Sequence, residues 1–317
     1  MYSAKGYMAR GGYERYQSYK DWLRDEFTLK CVYCLERERG YPNGHAPLDC
    51  SADRGGVAVE DTVAFRDKLQ RGQVCLGTCI TFSDPTVTEA LAATLDFVWI
   101  DMEHNPLSLG EVQGHILATK GSGTTALVRV PWNDPVLIKP VLDIGAAGVI
   151  VPLVRTAEDV RRAVAACKYP PEGVRGYGPR RPSNYGRRGG PDFIRTANAS
   201  ILPIAQIEHI DAVNNLEEIL TVPGLATLVI GPNDLAGSMG HAGEPRHPDV
   251  LRAIDTILAK ARKAGVPVGL GVGGEPNDLL DWIKKGVRWL SIGSDFWLLV
   301  RAITQLTDPI RNQTQAK

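Results

Sequence analysis

Residues 127–154 read LVRVPWNDPVLIKPVLDIGAAGVIVPLV. Two apolar, β-rich runs bracket a segment that starts at Pro135, ends at Asp143 and is followed by Gly145. Proline at a first helical position and glycine just past the last are ordinary helix ends. The flanking runs, Thr125–Val130 and Gly148–Val151, are continuously apolar rather than alternating. That pattern fits strands buried on both faces, as parallel sheets require. The stretch is one strand–helix–strand unit, and it sets the period for the rest of the chain.

Working outward, the same signals predict strands at Val74–Ile80, Phe97–Asp101, Ile201–Ile207, Thr227–Ile230, Val266–Leu270 and Trp289–Ile292, which makes eight. Helices are expected at Pro85–Leu95, Pro135–Asp143, Ala157–Cys167, Ile210–Leu220, Pro248–Ala264 and Glu275–Lys285, with Gly265 and Gly286 closing the last two. Most strand starts lie 22 to 28 residues apart, about one βα unit. Eight such units predict an α/β fold of the (β/α)8 barrel type over residues 62–317, and no GxGxxG follows a strand to support a dinucleotide fold. Two connections are longer than the rest, EGVRGYGPRRPSNYGRRGG after strand four and GPNDLAGSMGHAGEPRHP after strand six. Long loops of this kind are more often functional than idle.

The chain has 317 residues, with 36 basic and 36 acidic side chains. A net charge of zero gives no global field toward nucleic acid or membrane. No apolar run approaches the roughly 18 residues that span a bilayer, and the first residues lack the apolar core of a secretory leader, so cytoplasm is the expected compartment. Residues 1–61 differ in character, rich in Tyr, Arg, Gly and Cys. There Cys31-x2-Cys34, His45 and Cys50 have the ligand count of a structural zinc site. LKCVYCLERERGYPNG is also a little like the first half of an HNH nuclease module, but PLDCSADRGG stands where that module has its histidines, and a second CxxC is missing. A zinc knuckle, a poorly ordered extension without metal and non-native upstream sequence all remain open. So few apolar side chains favour the extension. A single-strand nucleic-acid-binding role for its Tyr and Arg residues is a further alternative.

The polar residues at the strand ends carry the chemistry. Asp101, Glu103 and His104 follow strand two, Arg129 sits in strand three, Gln206 and Glu208 in and after strand five, and Asp234 after strand six. A charge inside an apolar strand is expensive unless paired or metal-bound, and Arg129 and Glu208 are the clearest cases. Neighbouring barrel strands lie roughly 4.8 Å apart, so Glu208 and Asp234 can share one cation. Hard oxygen ligands suit Mg²⁺ or Mn²⁺, with Co²⁺ or Zn²⁺ as alternatives. The plainer reading has each carboxylate capping a helix or pairing with an arginine. His104 reads as a general base or as a helix-start histidine. Asp143 alone reads as a solvated helix end. Arg175, Arg180, Arg181, Arg187 and Arg188 crowd the first long loop, which either grips a distal carboxylate or is simply solvated.

Five blocks, at 81–108, 127–154, 170–181, 206–220 and 224–240, resemble in order and spacing the HpcH/HpaI class II pyruvate aldolases. The resemblance covers about residues 62–305. It implies a barrel whose C-terminal helix is exchanged between subunits in a homo-oligomer, a trimer of dimers. It also implies a divalent-metal-dependent aldolase, reversibly cleaving a 4-hydroxy-2-oxo acid to pyruvate and an aldehyde through a pyruvate enolate. By the same resemblance Glu208 and Asp234 hold the metal and Arg129 steadies the enolate. His104 is the catalytic histidine with Asp143 as its carboxylate partner. Gln206 lies near the substrate, and Gly231 and Pro232 form the turn that meets the pyruvate carboxylate. Oxaloacetate decarboxylation or a phosphoenolpyruvate-type reaction on the same barrel is the alternative.

Overall fold

The computed structural model describes residues 57–315. The zinc and nucleic-acid readings of Cys31, Cys34, His45 and Cys50 fall outside them. Eight parallel strands close into a barrel in chain order: β1 (Cys75–Ile80), β2 (Phe97–Asp101), β3 (Thr125–Arg129), β4 (Gly148–Val151), β5 (Leu202–Ile207), β6 (Thr227–Ile230), β7 (Val268–Gly271) and β8 (Trp289–Ser294). All eight coincide with the predicted runs to within two residues at either end. The described helices are α1 (Val57–Gln70), α2 (Pro85–Ala92), α3 (Leu109–Ala118), α4 (Pro135–Asp143), α5 (Ala157–Cys167), α6 (Gly190–Ser200), α7 (Ile210–Asn214), α8 (Leu216–Leu220), α9 (Pro232–Ser238), α10 (Pro248–Ala264), α11 (Pro276–Lys285) and α12 (Asp295–Gln315). None of them is long and apolar enough to cross a membrane.

Local signals explain most of the helix ends. Asp84 and Asp134 cap α2 and α4, each accepting the amide two residues on, with proline at the first helical position. Ser108 with Glu111, and Thr156 with Asp159, form capping boxes at α3 and α5. Gly265 and Gly286 close α10 and α11 with φ of 71° and 116°. The single helix expected over Ile210–Leu220 is two short ones. Asn215 breaks it, and its side chain donates to the Arg155 carbonyl at 3.0 Å. The boundary expected at residue 62 falls inside α1.

Two apolar clusters form the core. One lies between strands and helices, with Val112, Ile138, Val160, Ile219 and Ile254 facing Val98, Val128, Val149 and Leu228. The other fills the barrel at the strand starts, where Phe97, Leu127, Leu202 and Trp289 meet Phe65 and Leu69 of α1. The rings of Phe65, Phe97 and Trp289 touch edge to face with centroids 5.3–6.0 Å apart. Because strand side chains alternate, the same inward rows continue upward. Phe97 and Trp99 lead to Asp101, Leu127 to Arg129, and Leu202 and Ile204 to Gln206. The interior therefore changes from apolar to charged along its axis, and the register sets Asp101 directly beside Arg129.

Candidate active site

At the carboxyl ends of the strands lies a cavity of about 610 Å³ whose walls include His104, Arg129, Gln206, Gly231, Pro232 and Asp234. Arg129 is its best-anchored charge, only 8% exposed. Its Nε donates to Asp101 Oδ1 at 2.7 Å and its Nη1 pairs with Glu103 Oε2 at 2.9 Å. Trp99 lies under the guanidinium, 5.1 Å from ring centroid to Cζ. Asp101 also accepts the Glu103 amide and the Asn105 side chain, which fixes the turn after β2.

Glu208 is 2% exposed. Its Oε1 accepts the Leu153 amide at 2.6 Å and its Oε2 accepts from Gln206 Nε2. Burial pushes its carboxyl up to about 7, against those two hydrogen bonds, and the like charges of Glu103 and Asp234 push in the same direction. Burial likewise raises Glu103, with Arg129 pulling the other way. The carbonyl oxygen of Gln206 is buried without a partner. A Cβ at residue 231 would stand 2.9 Å from Glu208 Oε2, so only glycine lets this turn approach the carboxylate. A buried acid with two like charges nearby and an unpartnered amide oxygen beside it fits a hard divalent cation, with Glu208 and Asp234 as the residues that would hold it. Cys79, also in the wall, has its thiol raised by burial, which makes it a poor nucleophile.

Arg129, Gln206, Gly231, Pro232, Asp234 and His104 therefore share one cavity, with Glu208 immediately behind it. His104 stands at the mouth, its side chain 62% exposed, with Nε2 3.9 Å from Glu103 Oε2. Asp143 is not brought to it within the chain. It ends α4 at the opposite face, where Arg175 Nη2 donates to it at 2.7 Å. The arginine-rich loop is likewise displaced from the strand-end face. It leaves the C-terminus of α5, so it lies where the strands begin, and Arg175, Arg187 and Arg188 line a separate cavity of about 400 Å³ there. The sequence named Asp101 and Glu103 without giving them a task. The signal was present, since an odd-spaced acid at the end of an inward row faces the neighbouring strand's arginine. Arg246 and Trp282, also in the cavity wall, lie in a loop and on a helix, where no strand period points to them. Elsewhere among the described residues, His241, His247 and Asp249 have ligand-capable atoms within 4.8 Å of one another.

Fold and cavity define a barrel enzyme with an acidic, arginine-anchored site at its strand ends. The sequence pattern of the HpcH/HpaI aldolase/citrate lyase family matches residues 81–302. The 2-dehydro-3,6-dideoxy-6-sulfogluconate aldolase of Pseudomonas putida is 38% identical over 75% of this chain and 93% of its own. The 5-keto-4-deoxy-D-glucarate aldolase of Klebsiella pneumoniae is 37% identical over 78% and 96%. The crystal structure of a family protein from Burkholderia cenocepacia superposes with a TM-score of 0.74 at 33% identity, covering 78% of this chain and 99% of that one. The chain belongs to the HpcH/HpaI aldolase/citrate lyase family. It is an enzyme, an aldolase-type carbon–carbon lyase, and divalent-metal dependence is characteristic of its family.

Proposed function

We propose that the protein reversibly cleaves a 4-hydroxy-2-oxo acid to pyruvate and an aldehyde, using Glu208 and Asp234 to hold Mg²⁺ or Mn²⁺. The observation that carries this reading is the buried Glu208 carboxyl, raised to about 7 among like charges, behind the cavity that Arg129 lines. When bound, a divalent cation there supplies Lewis-acid polarisation of the 2-oxo group. Arg129, with Nε and Nη1 already spent on Asp101 and Glu103, offers its remaining N–H groups to the oxygen that becomes negative in the enolate. His104 accepts the proton of the C4 hydroxyl as the C3–C4 bond breaks, and returns it to C3 of the enolate. Gln206 turns its free carbonyl oxygen to a donor on the bound ligand or a water. The amide of Gly231 is spent on the Ile207 carbonyl at 3.2 Å, so at the Gly231–Pro232 turn the pyruvate carboxylate meets the next amides, those of Asn233 and Asp234. Asp143, held by Arg175 at the other face, takes no part within one chain.

The two curated relatives act on a sulfogluconate and a glucarate, acids with an anionic group at each end of the carbon chain. An aldehyde with an anionic far end is therefore the favoured partner. The protein also works as a homo-oligomer, a trimer of dimers by family resemblance. Support comes from α12, which leaves Phe296, Leu299, Val300, Ile303, Leu306 and Ile310 exposed. The test of the chemistry is proton NMR of pyruvate in D2O. Loss of the methyl signal that needs both enzyme and Mg²⁺, and stops with chelator, is expected. A folded enzyme that exchanges nothing under any divalent metal would overturn the reading.

A further inference from the structure

The cavity is electrically divided. The acids lie toward β2, β5 and β6, where Glu103, Glu208 and Asp234 interact. Among the described residues its wall from β7 onward holds Gly271, Val272, Gly273, Trp282, Ser291, Gly293 and Ser294, none of them charged. On this second side Pro245 and Arg246 enter the wall from the loop after α9. Two arginines line the cavity, and they are in opposite states. Arg129 is buried and has two carboxylates on it. The side chain of Arg246 is 64% exposed, and one bond holds it, from Nη2 to Asp278 Oδ2 at 2.9 Å.

That bond is between exposed groups, so it is worth little and exchanges readily. A guanidinium has five donors, which leaves Arg246 most of its fork for a planar or tetrahedral anion. Its backbone, by contrast, is fixed. His241 and His247 stack with ring centroids 3.5 Å apart across the loop that carries it. The His247 amide donates to the Glu244 carbonyl, and the Glu244 amide to that of His241, each at 2.9 Å. A charged group with few commitments on a braced loop is a receptor built ahead of its ligand.

We propose that Arg246 is the specificity-determining residue for the far end of the substrate. Its guanidinium receives the carboxylate or sulfonate that the aldehyde carries away from its reacting carbon, on the β7–β8 side of the cavity. This rests on the pyruvate-aldolase reading above. A cavity of about 610 Å³ has room for that tail beside pyruvate.

The experiment compares kcat/KM for addition of pyruvate to succinic semialdehyde and to butanal, which differ at the far end by the carboxylate. The wild-type enzyme is expected to prefer the anion by roughly 10- to 100-fold, the range of a charged hydrogen-bonded pair. Arg246→Ala should bring the ratio close to one, and Arg246→Lys, a charge without the fork, should fall between. If Arg246 merely braced α11 through Asp278, Asp278→Asn would copy Arg246→Ala. The proposal requires Asp278→Asn to keep the preference. A wild type without preference, or an Arg246→Ala enzyme that retains it, overturns the proposal while wild-type pyruvate exchange still stands. A wild type that exchanges no methyl proton overturns the aldolase reading, and the proposal falls with it.

Discussion

At the residue scale, the site depends on charges whose costs are offset by one another. Arg129 lies between Asp101 and Glu103, so its removal leaves two carboxylates together in a buried place. Arg129→Ala should lower stability by about 3–5 kcal/mol, measured by urea unfolding, besides abolishing exchange. Arg129→Lys keeps the cation but loses the planar fork. It should remain folded and lose about a hundredfold or more in pyruvate exchange. A lysine enzyme within tenfold of wild type would remove Arg129 from the enolate. Glu208 gives a pH signature. Folded, it holds its proton up to about 7, against 4.5 for an unperturbed glutamate. Between those values the folded chain binds the extra proton, so metal-free stability falls as pH rises across the window. The fall is at most about 3–4 kcal/mol at 1.36 kcal/mol per unit. Thermal midpoints in chelator should decline from pH 5 to 7.5 in wild type and more weakly in Glu208→Gln. Parallel slopes in the two proteins would sink this account. Arg129 and Glu208 were legible because a charge in an apolar strand demands a partner. The Asp143 assignment was carried by resemblance alone, and the fold gives that carboxylate to Arg175.

Elements were legible where the period is local. The strands are short apolar runs between glycines and prolines, and their length and β-branched content separate them from buried helix segments. What escaped is what tertiary contacts create. Helix α1 has weak apolar patterning, and its reason to exist is the open lower end of the barrel, which Phe65 closes against Phe97 and Trp289. The guanidinium of Arg66 ties the same helix to the carbonyls of Ser200 and Ile201 at 2.8 and 3.0 Å, at the end of α6. Phe65→Ala should therefore cost about 3–5 kcal/mol, as for other buried aromatics. The loss should appear as a lower thermal midpoint with pyruvate exchange per folded molecule kept, since the plug is at the opposite face from the cavity. A variant as stable as wild type would show that α1 only lies against the barrel. Helix α3 is readable from the capping pair of Ser108 and Glu111. The break at Asn215 is not, since its partner is Arg155, 60 residues away in the chain.

At the scale of the whole molecule, the question is what covers α12. It packs against β8 and β1, and every residue from Ala302 to Thr314 except Thr307 is exposed. Trp297 is half-buried against Gly273 and Gly293, with Arg301 over its ring. The exposed face is carried by Phe296, Leu299, Val300, Ile303, Leu306 and Ile310. Their spacing of three and four places them along one stripe of the helix. An apolar stripe of this length left in water is a liability for a single chain, and a second copy of the chain offers a partner of matching chemistry. Light scattering on the wild-type protein should give a multiple of the 34.5 kDa chain mass. Leu299→Glu with Ile303→Glu, which sets charges in the middle of the stripe, should shift the mass toward one chain. Barrel contacts lie elsewhere, so the variant's circular dichroism should stay that of a folded barrel. A wild type that runs as one chain at micromolar concentration would mean that α12 is covered by something other than a copy of this protein.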